Sequence, residues 1–205
     1  MKELLNLNRL KERLLNDLPG EEAQLRMSPT FRGSFIHAAE PVKAAVLVLM
    51  YPRNGQICIV FMKRNEYDGP HSAQVSFPGG AWEPADGSLE ITAIRETREE
   101  LGIKGKIEVL GTLTELFIPV SNFLVTPFLG WMDRAPEFFP DQSEVQYIIE
   151  APLKDLADPA NRDSERLYRH GQSIEAPFYR VGKEKIWGAT AMMLSEYLQL
   201  ASMLQ

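Results

Sequence analysis

Residues 95–100 read Arg-Glu-Thr-Arg-Glu-Glu, and Gly102 closes the run two residues later. At about 100° per residue, a helix places Glu99 about 60° to one side of Glu96 and Glu100 about 40° to the other, so three carboxylates share one sector. Like charges at this spacing repel and mildly destabilise a helix. A solvated acidic face is the plain reading of such a run, and a divalent-cation site is the functional one. A hard cation such as Mg²⁺ takes oxygen ligands, keeps several waters and is shared between a few carboxylates and substrate phosphates. The glycine turn Pro78-Gly79-Gly80 supplies backbone that can approach such ions closely and offer a carbonyl. Arg95 and Arg98 are expected to hold the carboxylates in register through hydrogen bonds.

These residues need a scaffold. Residues 88–101 read as a helix, with Ser88 or Asp86 able to cap its start and Gly102 placed to stop it. Upstream, "VKAAVLVLMY" and "QICIVFMKR" are apolar, β-branched runs separated by "PRNG", the pattern of a hairpin between largely buried strands. "SFPGG" reads as a strand end and tight turn. Further strands are expected at "KIEVLGTLTELF", "LVTPFLGWM" and "EVQYIIEA", then a short helix at "PLKDLAD". The strand pair "APFYRV" and "KEKIWG" and a C-terminal helix, "ATAMMLSEYLQLASML", complete the reading. Trp187, Met192 and Met193 are expected in the core. At the other end, Leu4, Leu7, Leu10, Leu14 and Leu18 recur at helical steps before Pro19-Gly20, an amphipathic helix. It would pack on the main domain or across a homodimer. The expectation is an α+β domain, a mixed sheet flanked by helices, over 31–205, with an N-terminal amphipathic helical extension over 1–30.

Composition narrows the function. The 205-residue chain is 44% apolar and 24% charged, ordinary for one globular domain. With 28 acidic against 22 basic residues the net charge is −6, which disfavours broad binding to nucleic acid or an anionic membrane. Any phosphate is handled locally, by a few basic groups or a bridging metal. The single cysteine, Cys58, has no internal disulfide partner and reads as a small buried hydrophobe. Charge interrupts the N-terminus from its second residue, unlike a secretory signal, and the longest apolar run is far short of the about 20 residues a membrane helix needs. A cytoplasmic setting is the expectation. There is no Gly-x-x-x-x-Gly-Lys loop and no Gly-x-Ser-x-Gly elbow, so P-loop and serine-hydrolase readings lack their residues. His37 and His170 show no metal-ligand spacing.

The string from Gly80 to Ile103 resembles the signature of the Nudix hydrolases: a glycine, a distant acidic residue, then Arg-Glu-apolar-any-Glu-Glu-any-Gly-apolar. Arg95, Glu96, Glu99, Glu100, Gly102 and Ile103 match the second half, and Thr97 stands where an apolar residue is usual. Asp86 holds the distal acidic position, and Arg95 follows one residue late, as a one-residue loop insertion would leave it. The resemblance implies a Nudix fold, an α/β/α sandwich. It also implies hydrolysis of a nucleoside diphosphate linked to another group, with Mg²⁺ or Mn²⁺ as cofactor. By position it makes Glu96, Glu99 and Glu100 metal ligands, joined by the carbonyl of Gly80. Water attack on phosphorus needs an aligned nucleophile and charge neutralisation, and Glu99 is a candidate to orient or deprotonate that water. Glu144 is the second candidate, because a glutamate outside the signature helix completes the site in several Nudix enzymes. An exposed loop carboxylate is its plain alternative.

The segment "IVFMKRNEYDGPHSAQVSFPGG" is similar to an additional motif of the coenzyme A pyrophosphatase branch, with Arg64 and Phe77-Pro78-Gly79-Gly80 at matching spacing. The similarity implies that Arg64 and Phe77 bind substrate. Two positions depart: Gly69 stands for a second arginine and Ala73 for a glycine. His71 reads either as a loop histidine satisfied by backbone or as a substrate contact. Trp82 reads either as a base-stacking ring or as a cover for the helix. The resemblance therefore implies cleavage of coenzyme A or a derivative. Hydrolysis of ADP-ribose or another nucleoside diphosphate derivative is the enzymatic alternative, and a non-catalytic ligand-binding or regulatory protein of Nudix fold is the alternative of another class. A binder has no need of three mutually repelling carboxylates.

Overall fold

The computed structural model describes residues 6–30, 40–69, 71–169 and 172–204. Leu4 of the N-terminal leucine series, His37, His170 and the proposed domain start at residue 31 lie outside the described residues. Two helices come first, α1 (Leu7–Asn16) and α2 (Gly20–Leu25). The long strands β1 (Val42–Arg53) and β2 (Gln56–Arg64) pair antiparallel about Asn54-Gly55. Short strands β3 (Val75–Ser76) and β4 (Gly79–Ala81) lead into α3 (Leu89–Leu101). Then follow β5 (Glu108–Thr112), β6 (Leu116–Ile118), β7 (Phe123–Trp131), β8 (Val145–Pro152) and the short α4 (Leu153–Ala157). The chain closes with β9 (Arg162–Arg169), β10 (Gln172–Val181), β11 (Glu184–Trp187) and α5 (Gly188–Ser202).

Among the described residues the main sheet has eight strands and is mixed, since Val42–Met50 of β1 pair parallel with the whole of β7, while β1 pairs antiparallel with β2 and β4. On the N-terminal side of Met50, β1 parts from β2, and the segment from β3 to β4 fills the fork. β3 pairs with Met62 and Lys63 of β2, and β4 pairs with Ala44, Ala45 and Val46 of β1. The glycines of β4 are thereby built into the sheet, beneath α3.

Alternation along β1 and β2 creates two cores. Val48, Met50, Ile57, Ile59 and Phe61 face a layer formed by α5 and α1, while Leu47, Leu49, Cys58, Val60 and Met62 face α3 through Ala93 and Leu101. A period of two on a sheet buried on both sides makes this division. The expected α/β/α sandwich, Cys58 as a buried hydrophobe, and Met192 and Met193 in the core are all observed. Trp187 is only partly buried.

The N-terminal helix ends at Asn16, earlier than Pro19-Gly20, and Gly20 instead opens α2. Leu10 and Leu14 are buried in the core of their own chain. Gln24 and the backbone N–H of Gly20 both donate to the buried Glu196 of α5, at 2.8 and 3.2 Å. Strand β9 follows no apolar alternation and forms a separate three-stranded sheet with β10 and β11. No helix among the described residues is long and apolar enough to cross a membrane.

Candidate active site

Ser88 starts α3 as expected, its hydroxyl accepting from the N–H of Ile91 at 3.3 Å. Gly102 ends the helix in the left-handed conformation with φ 61°, where a Cβ would be costly. Thr97 sits at a fully buried position and still satisfies its hydroxyl, which donates to the carbonyl of Ala93 at 2.6 Å. A threonine can therefore replace the usual apolar residue here.

The helix presents Glu96, Glu99 and Glu100 over one sector, in three different environments. Glu100 is buried, accepting from the N–H of Gly79 at 2.7 Å and from Arg64 at 3.2 Å. Burial pushes its carboxyl up to about 8, against the pull of Arg64 and the Gly79 N–H. Glu96 is half-buried and its carboxyl is also raised, first by burial and further by Glu99 and Glu144, while Arg95 opposes the shift. Glu99 is exposed and accepts from Arg95 at 2.9 Å. Gly80 lies directly under Glu96: a Cβ added there would come within 2.6 Å of the Glu96 carboxyl carbon.

Arg95 organises the cluster. Its guanidinium donates to Glu96 at 2.8 Å and to Glu99, and it grips Asp86 through two parallel hydrogen bonds. Asp86 also accepts from the Thr92 hydroxyl and the Glu83 N–H, and Arg95 above all holds its carboxyl well below the ordinary range. Arg98 does not join. It lies about 200° round the helix from Glu96 and donates instead to the carbonyl of Gly105 at 3.4 Å.

Among the described residues no three His, Cys, Asp or Glu side chains converge closely enough to cage a metal ion. Arg95 bridges Glu96 and Glu99 instead. The donor chemistry nevertheless fits a hard divalent cation, which prefers oxygen ligands and needs only one or two carboxylates beside water and phosphate. Glu96 and Glu100 are held partly desolvated against glycine backbone, where their negative charge is poorly compensated. A bound cation would relieve that cost.

Arg64, Gly79 and Gly80 also line a cavity of about 460 Å³ on the α5 side of the sheet. Its walls come from β1, β6, β7 and α5, through Val46, Ile118, Phe123 and Met193 among others. Phe77 belongs to this wall while stacking on Phe61, centroids 4.8 Å apart. Glu144 is exposed in the turn before β8, its backbone carbonyl accepting from Asn65, and its charge is felt at both Glu96 and Glu100. Trp82 is 38% exposed, outside the residues lining the cavity.

Sequence reasoning left out three of these relationships. The Asp86 clamp on Arg95 was within reach, since Asp86 holds the distal acidic position of the signature. The Gly79 N–H bond to Glu100 and the cavity depend on segments far apart in the chain and carry no local signal.

Comparison with known proteins bears on this geometry. The NUDIX domain family model matches residues 41–170. Human mitochondrial coenzyme A diphosphatase NUDT8 is 32% identical over 91% of this chain and 81% of its own length. The Nudix hydrolase NudL of Photorhabdus laumondii is 35% identical over 63% of this chain and 69% of its own. Among solved structures, a MutT/nudix family protein from Enterococcus faecalis superposes with a TM-score of 0.56 over 98% of this chain and 76% of that one, at 14% identity. That last likeness concerns the fold.

Proposed function

The chain belongs to the Nudix hydrolase family, and on that premise we propose that it cleaves the diphosphate bond of coenzyme A or a derivative, giving 4'-phosphopantetheine, or its acyl form, and adenosine 3',5'-bisphosphate. The observation that carries the reaction class is the pair Glu96 and Glu100, held against Gly79 and Gly80 with Arg64 and Arg95 as their nearest cations. The coenzyme A assignment draws support from the printed activity of the human relative and from Arg64 beside Phe77-Pro78-Gly79-Gly80.

In this reading Glu96, Glu99 and Glu100, with the Gly80 carbonyl, hold Mg²⁺ or Mn²⁺. Such a cation neutralises charge on the diphosphate oxygens and lowers the pKa of an attacking water. Arg64, bonded to Glu100 and exposed to the cavity, binds a substrate phosphate through charge-assisted hydrogen bonds. Glu99, exposed and steered by Arg95, accepts the proton of the water, and Glu144 is the alternative acceptor. Arg95 spreads one positive charge across Glu96 and Glu99 and keeps both aimed at the same side of α3.

Gly69 leaves the position of the branch's second arginine without a charge, beside the ring of Tyr67, which an added Cβ would meet at 3.0 Å. Hydrolysis of ADP-ribose, which has no 3'-phosphate, is therefore retained as the second reading. A cytoplasmic setting stays part of the proposal, although the human relative's name places that protein in mitochondria. The test is incubation of the purified chain and a divalent cation with coenzyme A, ADP-ribose, NADH and nucleoside triphosphates, with products identified by mass. Coenzyme A as the preferred substrate supports the assignment. Preference for ADP-ribose moves the chain to the second reading.

A further inference from the structure

We propose that His71 is a positioning residue for substrate binding: by joining its own loop to Ser121, it fixes the two loops that wall the apolar cavity and so sets the size of the uncharged arm the cavity admits. The inference rests on the diphosphate-hydrolase reading for the presence of such an arm, but not on which arm it is.

His71 lies in the connection between β2 and β3, and Ser121 fifty residues later in the turn between β6 and β7. Both ring nitrogens are engaged by side chains, Nδ1 with Gln74 Oε1 at 3.3 Å and Nε2 with Ser121 Oγ at 3.1 Å. All three residues line the cavity. Burial pushes the imidazole pKa down, which favours the neutral ring. A neutral ring that donates from Nδ1 to the Gln74 carbonyl oxygen accepts the Ser121 hydroxyl proton at Nε2, and both partners are satisfied.

The backbone on each side is held in a conformation that non-glycine residues avoid. His71 has φ 67° and Ala73 φ 53°, and across the clasp Asn122 has φ 54°. Such angles cost free energy and persist where the surroundings over-determine them, commonly at ligand sites. Here the surroundings are specific. Ala73 donates to the carbonyl of Asn65, Gln74 to that of His71, and Asn122 to that of Pro119. The His71–Ser121 hydrogen bond thus joins the two strained turns.

The lining shows what the clasp encloses. Among the described lining residues Arg64 carries the one permanent charge, and the remaining wall is largely aliphatic and aromatic, including Val46, Ile118, Val120, Phe123 and Met193. A diphosphate bound at Arg64 and the glycine strand would direct an uncharged arm into this space. A free anion would find no second cation among the described lining residues.

Steady-state kinetics on His71→Ala, Ser121→Ala and the double variant test the idea, using coenzyme A and acyl-coenzyme A esters of increasing chain length with saturating divalent cation. Loss of one hydrogen bond that orders the wall should raise KM about three- to tenfold while kcat stays within about twofold. The preferred chain length should move upward. The double variant should be no worse than His71→Ala alone, because that change already removes the contact with Ser121. Ser121→Thr should restore the wild-type KM. Unchanged KM and chain-length profile in folded variants, or a fall in kcat at constant KM, overturns the proposal. If wild type cleaves none of these esters but does cleave ADP-ribose, the coenzyme A assignment fails. The same comparison of KM with kcat on ADP-ribose then decides the role of His71.

Discussion

Arg95 grips Asp86 with two parallel hydrogen bonds, Nε to Oδ1 at 2.7 Å and Nη2 to Oδ2 at 3.0 Å. This leaves Nη1 to serve Glu96 and Glu99 together. A guanidinium fixed at one edge by a buried carboxylate becomes a rigid arm that aims two glutamates. Asp86→Asn keeps the shape but loses the charge and half of the acceptor pair. Turnover should fall about 10- to 100-fold, as for groups that orient metal ligands, and the melting temperature should fall as well, because the partly buried guanidinium loses its carboxylate partner. Assay of kcat alongside a thermal melt checks this. Equal turnover in the variant would show that Arg95 needs no anchor.

Gly80→Ala probes the close approach beneath Glu96. The clash at 2.6 Å falls on the end of a flexible side chain, so the carboxylate can swing away at small cost to the fold. The site pays instead, since misplacement by about 1 Å costs roughly 10²-fold in rate. A large loss of activity with a near-native denaturation midpoint is expected. Near-native activity would remove Glu96 from the chemistry.

In the proposed reading Glu99 and Glu144 are alternative acceptors of the water's proton. Glu99→Gln keeps size and hydrogen-bonding capacity while removing the base, and general-base contributions are typically 10²- to 10⁴-fold. A loss below about tenfold for Glu99→Gln, with a much larger one for Glu144→Gln, would assign the proton acceptor to Glu144. Heavy losses in both, combined without additivity, would mean that the two act as a unit.

Much of the scaffold around these residues was legible. Asn54-Gly55 between two apolar runs marked the first hairpin, and Ser88 and Gly102 bounded the signature helix, because turns and caps write their requirements into local residue types. Strand β9, "RDSERLYR", was not legible. Its residues are largely exposed or partly so, and it is held by pairing with β10, so neither face needs an apolar alternation. The break between α1 and α2 was also hidden, because Gln24 and Gly20 are tied down by Glu196, 172 and 176 residues away. At the site, the carboxylate sector follows from helical geometry alone. The unequal burial of its members follows from β4 filling the fork between β1 and β2.

That unequal burial has a pH signature. Glu100 is pushed up to about 8 in the fold from an ordinary value of 4.5, so between those values the metal-free folded chain holds a proton that the unfolded chain has released. Its contribution to stability therefore declines as pH rises through that window. Glu100→Gln cannot titrate and should flatten the decline. Denaturant midpoints at pH 5, 6.5, 8 and 9 in the presence of a chelator measure it. A slope equal to that of wild type would show that Glu100 is not the group responsible.

The Glu96, Glu99 and Glu100 face is proposed to perform cation-dependent hydrolysis of a diphosphate. The most direct measurement is coenzyme A turnover against Mg²⁺ concentration, wild type beside Glu100→Gln. Wild type should show no turnover in chelator and a saturable rise with Mg²⁺. The variant should need at least about tenfold more Mg²⁺, or reach a far lower plateau, since lost orienting partners of a metal ligand alone cost 10- to 100-fold. Superimposable curves would remove Glu100 from the metal site, and turnover by wild type in chelator would rule out cation-dependent hydrolysis.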